Sequence, residues 1–223
     1  MSTYVTADNF DEGKVVFKPI KKHTKPVPYQ RIPIKYIYDD GKEKPLLIKT
    51  HKMFSFGVLE NKDPKTGETQ NFSMPFVTYD VKDGKTEQDD KFIEMIESIT
   101  RVCNKNLMQN QDKKNTEPLC LLKTKPDSAP AMFVKLHTKY GSKPVEIETP
   151  FMRKSKNGII KINPLDMIRK KCMVMGAIKI DSIFIGSYIT SIQTKLTELL
   201  VLEEIKNVSV FDEIDWVPDD DDD

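Results

Sequence analysis

The stretch CMVMGAIKIDSIFIGSY (residues 172–188), followed by ITSIQTKLTELLVL (residues 189–202), decides the fold. The first part is long, β-branched toward its end and has no helical period, as a strand would. Gly176 inside it marks a bulge or bend. The second part alternates Ile192, Thr194 and Leu196 with polar neighbours, which favours a strand. Leu196, Leu199, Leu200 and Glu203 would also suit a helix. Just upstream, Asn163-Pro164-Leu165-Asp166 reads as the start of a short helix reaching Lys171. Before that, residues 145–153 and 159–162 flank Asn157-Gly158, a strong hairpin signal.

The same alternation recurs toward the N-terminus. Residues 120–125 and 132–140 are apolar runs separated by Pro126 and Pro130. Residues 46–57 and 72–81 read as strands joined by a loop at residues 61–69, with turns at Asp40-Gly41 and Asp83-Gly84. Residues 86–108 change period: Phe92, Met95, Ile96, Ile99, Val102 and Cys103 recur every three or four positions, which predicts the longest helix. Thr86 and Asp89 form its capping box. About eight to ten strands, one long helix and one short helix predict a mainly β fold, an OB-like barrel decorated by helices. The domain expectation is a flexible start at residues 1–12, a barrel at 13–208 and an acidic tail at 209–223.

Composition narrows the function. The chain has 223 residues, 31% of them charged, with a net charge of +1. No run of about 18 apolar residues exists, and residues 1–10 lack a secretory pattern. Cys103, Cys120 and Cys172 form no CxxC pair, and His23, His51 and His137 are scattered. The expectation is an intracellular protein, in host cytoplasm or nucleus, with no metal, no cofactor and no membrane partner. No phosphate-cradling loop, nucleophile elbow or HExxH appears; Asp63-Pro64-Lys65-Thr66-Gly67 only echoes the first. Asp39-Asp40 and Asp89-Asp90 are adjacent acids of the kind found in solvated turns and helix starts. A binding protein is expected, not an enzyme.

Two features point to what it binds. Residues 13–38 hold seven bases and no acid: Lys14, Lys18, Lys21, Lys22, Lys25, Arg31 and Lys35. Phe17, Tyr29, Tyr36 and Tyr38 are interleaved, and four prolines keep the backbone extended. Single strands need cations along the phosphates and flat rings on which bases stack, each stacked base being worth roughly 1–3 kcal/mol. Lysine charge without fixed geometry suits sequence-independent binding. Arg153, Lys154 and Lys156 surround the predicted hairpin turn and extend the candidate set; Lys170 and Lys171 simply complement a helix end. The competing reading places Phe17, Tyr29 and Tyr36 in the core with lysines on the rim.

The second feature is the tail. Residues 209–223 hold eight acids and no base, so the body is eight charges more positive than the whole chain. Asp219, Asp220, Asp221, Asp222 and Asp223 repel one another, which predicts disorder. Phe211, Ile214 and Trp216, the sole tryptophan, are spaced anchors for a basic partner. Such a tail also mimics nucleic acid and competes for the body's own cationic groove, at an effective concentration on the order of mM. A tail acting alone, as an interaction or scaffold module without nucleic acid, is the alternative.

The segments from Met173 to Gly186 and from Ile189 to Leu196 resemble the C-terminal core strands of single-stranded DNA-binding proteins from nucleocytoplasmic large DNA viruses. Those are similar in turn to a tailed-phage single-stranded DNA-binding family with an OB fold. The acidic tail with its aromatic matches that pattern, except that Trp216 precedes the aspartates instead of ending the chain. The resemblance implies a barrel that coats single-stranded DNA, with RNA an open variant, in viral replication and recombination. It also implies a tail that recruits replication proteins, and leaves homo-oligomerisation open.

Overall fold

Residues 172–204 set the frame because two long β-branched runs can bury one face each only by pairing with each other. The computed structural model describes residues 4–24, 27–79, 84–110, 118–126, 128–139, 141–156 and 158–205. In chain order the elements are β1 (Val15–Phe17), β2 (Lys21–His23), β3 (Tyr29–Ile37), β4 (Glu43–Lys49), β5 (Met53–Ser55), β6 (Leu59–Lys62) and β7 (Thr69–Val77). There follow α1 (Glu87–Asn110), β8 (Leu122–Lys125), β9 (Ser128–Leu136), β10 (Phe151–Ser155), β11 (Gly158–Ile162), β12 (Cys172–Ile185) and β13 (Thr190–Glu204).

The sheet closes on itself through β12, β5, β7, β9 and β13, which returns to β12. Every pair in this ring is antiparallel except β9 with β13, which is parallel. The fold is therefore mainly β with a closed five-stranded, OB-like barrel, as the sequence predicts. β13 lines one edge of β12 for its whole length, while the other edge is shared in turn by β5, β4 and β3. Bulges at Met173/Val174, Ala177/Ile178 and Ile180/Ser182 let one strand serve three neighbours.

Inward positions alternate as a pleat demands: Phe72, Met74 and Phe76 on β7, Met132, Val134 and Leu136 on β9, and Ile192 and Leu196 on β13 are buried. Gly176 is a close approach rather than a bulge. A Cβ there would lie 2.8 Å from Phe76 Cζ, so its absence lets that ring fill the barrel. Its N–H donates to Thr50 Oγ1 and its carbonyl accepts from Thr50 N–H, both at 2.9 Å.

The helix buries Phe92, Met95, Ile96, Ile99 and Cys103 as its period predicts. The capping box forms: Thr86 N–H and Oγ1 donate to Asp89 Oδ2, and Asp89 N–H donates to Thr86 Oγ1. Asp89 Oδ1 reaches His51 Nε2 at 2.7 Å, tying the helix start to the chain before β5. His51 is thus a structural tie.

Several expectations need correction. Residues 4–12 are not loose: Val5 is buried and bridges Ile48, and Phe10 stacks on Tyr36. The run at 46–57 breaks at Thr50, whose side chain is taken by Gly176, giving β4 and β5. The loop at residues 61–69 forms as expected: Asp63 accepts from Lys65 and Thr66 N–H in the hairpin turn between β6 and β7. The short helix is one 3-10 turn, Pro164–Met167, capped by Asn163. Asn157 and the tail, residues 209–223, lie outside the described residues.

Candidate nucleic-acid interface

A barrel strand that buries alternate residues must show the others to solvent, and their chemistry depends on what the register sets beside them. On β9, Val134 and Leu136 point in, so Phe133 and Lys135 point out. Lys135 pairs with Ser73 of β7 on one side and with Lys195 of β13 on the other. Lys195 pairs with Lys179 of β12. Three lysines from three strands thus stand in one row on the outer face.

The row continues through Asp181, which pairs with Lys179 and lies 3.6 Å from Arg31 Nη1 on β3. Arg31 is opposite Phe184 of β12 and opposite Lys21 of β2. From β9 to β2 the band crosses four inter-strand gaps, about 19 Å at about 4.8 Å each. That length suits several nucleotides, within the roughly 4–16 that one OB fold covers.

Aromatic rings stand at both ends. Phe133 is exposed, with Lys123 Nζ of β8 held 5.2 Å from its ring centroid. At the other end Tyr29 stacks on His23 at 4.4 Å with an interplanar angle of 12°, and meets Phe184 at 5.3 Å. Tyr188, in the connection from β12 to β13, is 99% exposed. In OB barrels the strand 2–3 face and the loops joining strands 1–2 and 4–5 receive oligonucleotides. Here these are the outer face of β7 and β9, the β5–β7 connection and the β12–β13 connection.

The electrostatics favour an anion. Burial, then Arg31 and Lys195, push the Lys135 ammonium below its ordinary value. Burial, then Lys195 and Lys179, likewise push His137 down. Burial alone would raise the Asp181 carboxyl, but Lys179, Lys195 and Arg31 outweigh it and hold it low. Lys135 Nζ donates to Gln193 Oε1 at 3.3 Å and forms no ion pair among the described residues. Arg31 Nε is buried without a hydrogen-bond partner among the described residues. Among the described residues no three His, Cys, Asp or Glu side chains are grouped to hold a metal, and no helix is long and apolar enough to cross a membrane.

The residues singled out from sequence are divided by the fold. Lys21, Tyr29 and Arg31 join the band, with Lys22 exposed one position along. Lys14 pairs with Asp39 at 3.0 Å and Lys18 pairs with Glu43, so acids already occupy them. Lys35 is half-buried between Val16 and Pro45. Tyr36 is core: it is 3% exposed and its hydroxyl accepts from Asp11 N–H, so no ring face is open to a base. Arg153 pairs with Glu204, and Lys154 and Lys156 are exposed around the β10–β11 hairpin, away from the row. Lys25, Phe211, Ile214, Trp216, Asp219, Asp220, Asp221, Asp222 and Asp223 lie outside the described residues.

Lys123, Lys135, Lys179, Lys195, Phe133 and Phe184 are new. The signal was a lone lysine between inward residues, as in Val134-Lys135-Leu136 and Ile178-Lys179-Ile180. Each is an ordinary solvated strand position until register gathers them.

Comparison with known proteins gives two matches. The family model described as "Protein of unknown function (DUF2738)" matches residues 15–211. The chain is similar to the "Early 31 kDa protein" of Frog virus 3 (isolate Goorha), 32% identical over 217 residues, 88% of this chain and 79% of that protein. The second match supports a viral origin.

Proposed function

We propose, for a chain that belongs to the family described as "Protein of unknown function (DUF2738)", that it binds single-stranded DNA without regard to sequence. The observation that carries the proposal is the row Lys135, Lys195, Lys179 and Arg31, flanked by Phe133 at one end and Phe184 and Tyr29 at the other. Lysines from successive strands meet successive phosphates, and the rings stack whichever base arrives. Binding competes inside the row with the Asp181 pairs and with the Lys135–Gln193 hydrogen bond. The site moves ligand and performs no chemistry.

The setting is viral DNA replication and recombination inside the infected cell; a relative named as an early protein is in keeping with it. Residues 209–223 recruit replication proteins through Phe211, Ile214 and Trp216, and the aspartates compete with DNA for the row. Removing residues 209–223 therefore tightens binding at low salt and leaves it unchanged once salt screens the tail.

The test is fluorescence anisotropy against oligo-dT, duplex DNA and an RNA of equal length, over a salt series. The expected result is tight oligo-dT binding, weak duplex binding and a log–log salt slope of about −0.7 per phosphate neutralised. The RNA arm reads whether the 2′-hydroxyl is tolerated. No binding to any single strand at physiological salt, with capture of proteins through Trp216 alone, would instead make the chain an interaction module.

A further inference from the structure

The sheet path ends at β11, whose outer edge has no partner strand among the described residues. Alternate residues of such a strand turn their N–H and C=O groups outward, unpaired. Gly158, Ile159, Ile160 and Lys161 are all exposed, with Ile159 at 64% and Ile160 at 48%, so neither face of this stretch is packed on the core. Residues directly opposite on β10 share a face with those of β11 and set its chemistry. Ile159 is opposite Lys154 and Lys161 opposite Met152, so one face carries two lysines beside an isoleucine. Lys154 and Lys161 form no ion pair among the described residues. Ile160 is opposite Arg153 and Ile162 opposite Phe151. Phe151 is buried and Arg153 is paired with Glu204, so this second face offers isoleucines whose one neighbouring charge is already spent.

We propose that the free edge of β11 takes an extended acidic peptide from a partner protein as one more strand, its acids and apolar residues in alternation. The acids lie on the face of Lys154 and Lys161, and the apolar residues lie on the face of Ile160 and Ile162. An alternating sequence keeps its two chemistries on opposite faces in either strand direction and after any slip of two residues, so the match does not hang on one register. Main-chain bonds along the edge supply the affinity, and the two faces supply the selection.

Charge and backbone chemistry select this occupant over two others. A second copy of the chain would bring the same lysines to the same face, and like charges across a strand pair are destabilising. A lysine on an edge strand thus guards against self-pairing while it admits an acidic strand. A polynucleotide suits the edge less well: its phosphates accept from N–H groups but give the C=O groups no donor. Phe151, the only ring in β10 and β11, is buried, so the hairpin offers no platform for a base. The surface lies apart from the lysine row of the barrel, and the proposal does not rest on nucleic-acid binding.

The probe is a fluorophore-labelled peptide of alternating glutamate and valine, blocked at both ends and titrated with the full chain by anisotropy at low salt. Saturable binding is expected, with amide exchange slowed in β11 and unchanged in β12. A peptide of the same composition, with its glutamates and valines in separate blocks, should bind about tenfold more weakly, since it cannot serve both faces. Lys154→Glu with Lys161→Glu should weaken binding of the alternating peptide by about tenfold. Ile160→Asp should abolish it. All three positions are exposed, and a melting curve on each variant reports the fold. Of two alternating peptides, one N-methylated on its valines and the other on its glutamates, one should lose binding and the other keep it, because only one set faces the edge. No binding, equal binding of the blocked and alternating peptides, or equal binding of the two methylated peptides overturns the proposal. So does exchange in β11 slowed by oligo-dT and not by the peptide, which gives the surface to nucleic acid. Protection of β11 that grows with protein concentration without peptide overturns it in favour of a second copy. Peptide binding that appears only once residues 209–223 are removed overturns it in favour of the chain's own acidic end.

Discussion

Replacing Lys135 and Lys195 together by glutamine removes two adjacent cations from the row, along with the exposed Lys135–Gln193 hydrogen bond. Neither pairs with a carboxylate among the described residues, and Lys135 already bears the cost of burial beside Arg31 and Lys195. Each phosphate contact on a single strand contributes about 0.7 to the salt slope. Losing two contacts should flatten the slope by about 1.4. At 0.1 M salt it should weaken binding by about 25-fold, since each contact then carries about 0.7 in log K. Relief of the mutual repulsion means the thermal midpoint should hold or rise. The assay is oligo-dT anisotropy from 0.05 to 0.5 M salt, on the variant and on the unaltered chain, with a melting curve for each. An unchanged slope and affinity in a folded variant would refute the reasoning, because it would place the phosphates elsewhere.

Phe133→Ala and Tyr29→Ala should each weaken binding by about 1–3 kcal/mol at high salt, where stacking dominates, and should matter little for an abasic oligomer measured in the same titration. Gly176→Ala sets a methyl group against Phe76 in the barrel and should cost about 1–3 kcal/mol in urea unfolding. His137 is pushed below its ordinary value, so the unfolded chain takes up its proton first as pH falls; this residue's stability contribution is present above about 6.5 and is lost below it. Unfolding from pH 7 to 5 should therefore grow easier, and His137→Gln should flatten that change. Oligo-dT binding should tighten over the same fall in pH, because phosphates favour the imidazolium.

Much of the fold was legible because its periods are local. The helix announces itself in Phe92, Met95, Ile96, Ile99 and Cys103, and its cap in Thr86 and Asp89. Ile32, Ile34 and Tyr36 alternate with Pro33 and Lys35, a period that matches β3, and Ile32 and Ile34 lie inside. That same alternation puts Tyr36 inside, so an aromatic counted for base stacking belongs to the core. The break at Thr50 was not legible, since it depends on a bond to Gly176 far along the chain. The site was legible only where it is local. Lys21, Tyr29 and Arg31 sit within one segment, whereas Lys135, Lys179 and Lys195 lie on three strands and meet only through register. Ion pairs also redistributed the charge, removing Lys14 and Lys18 to Asp39 and Glu43.

Photo-crosslinking of a bromouracil-substituted oligo-dT, followed by peptide mapping, tests most directly whether an unpaired strand crosses this row. The expected adducts lie on Phe133 of β9 and on Tyr29 or Phe184 at the far end, and at protein concentrations below the unaltered chain's Kd they fall in the Lys135→Gln, Lys195→Gln variant in step with its affinity. Adducts confined to the β10–β11 hairpin, or a full-length chain that yields none while an established single-strand binder does under the same lamp, would contradict it.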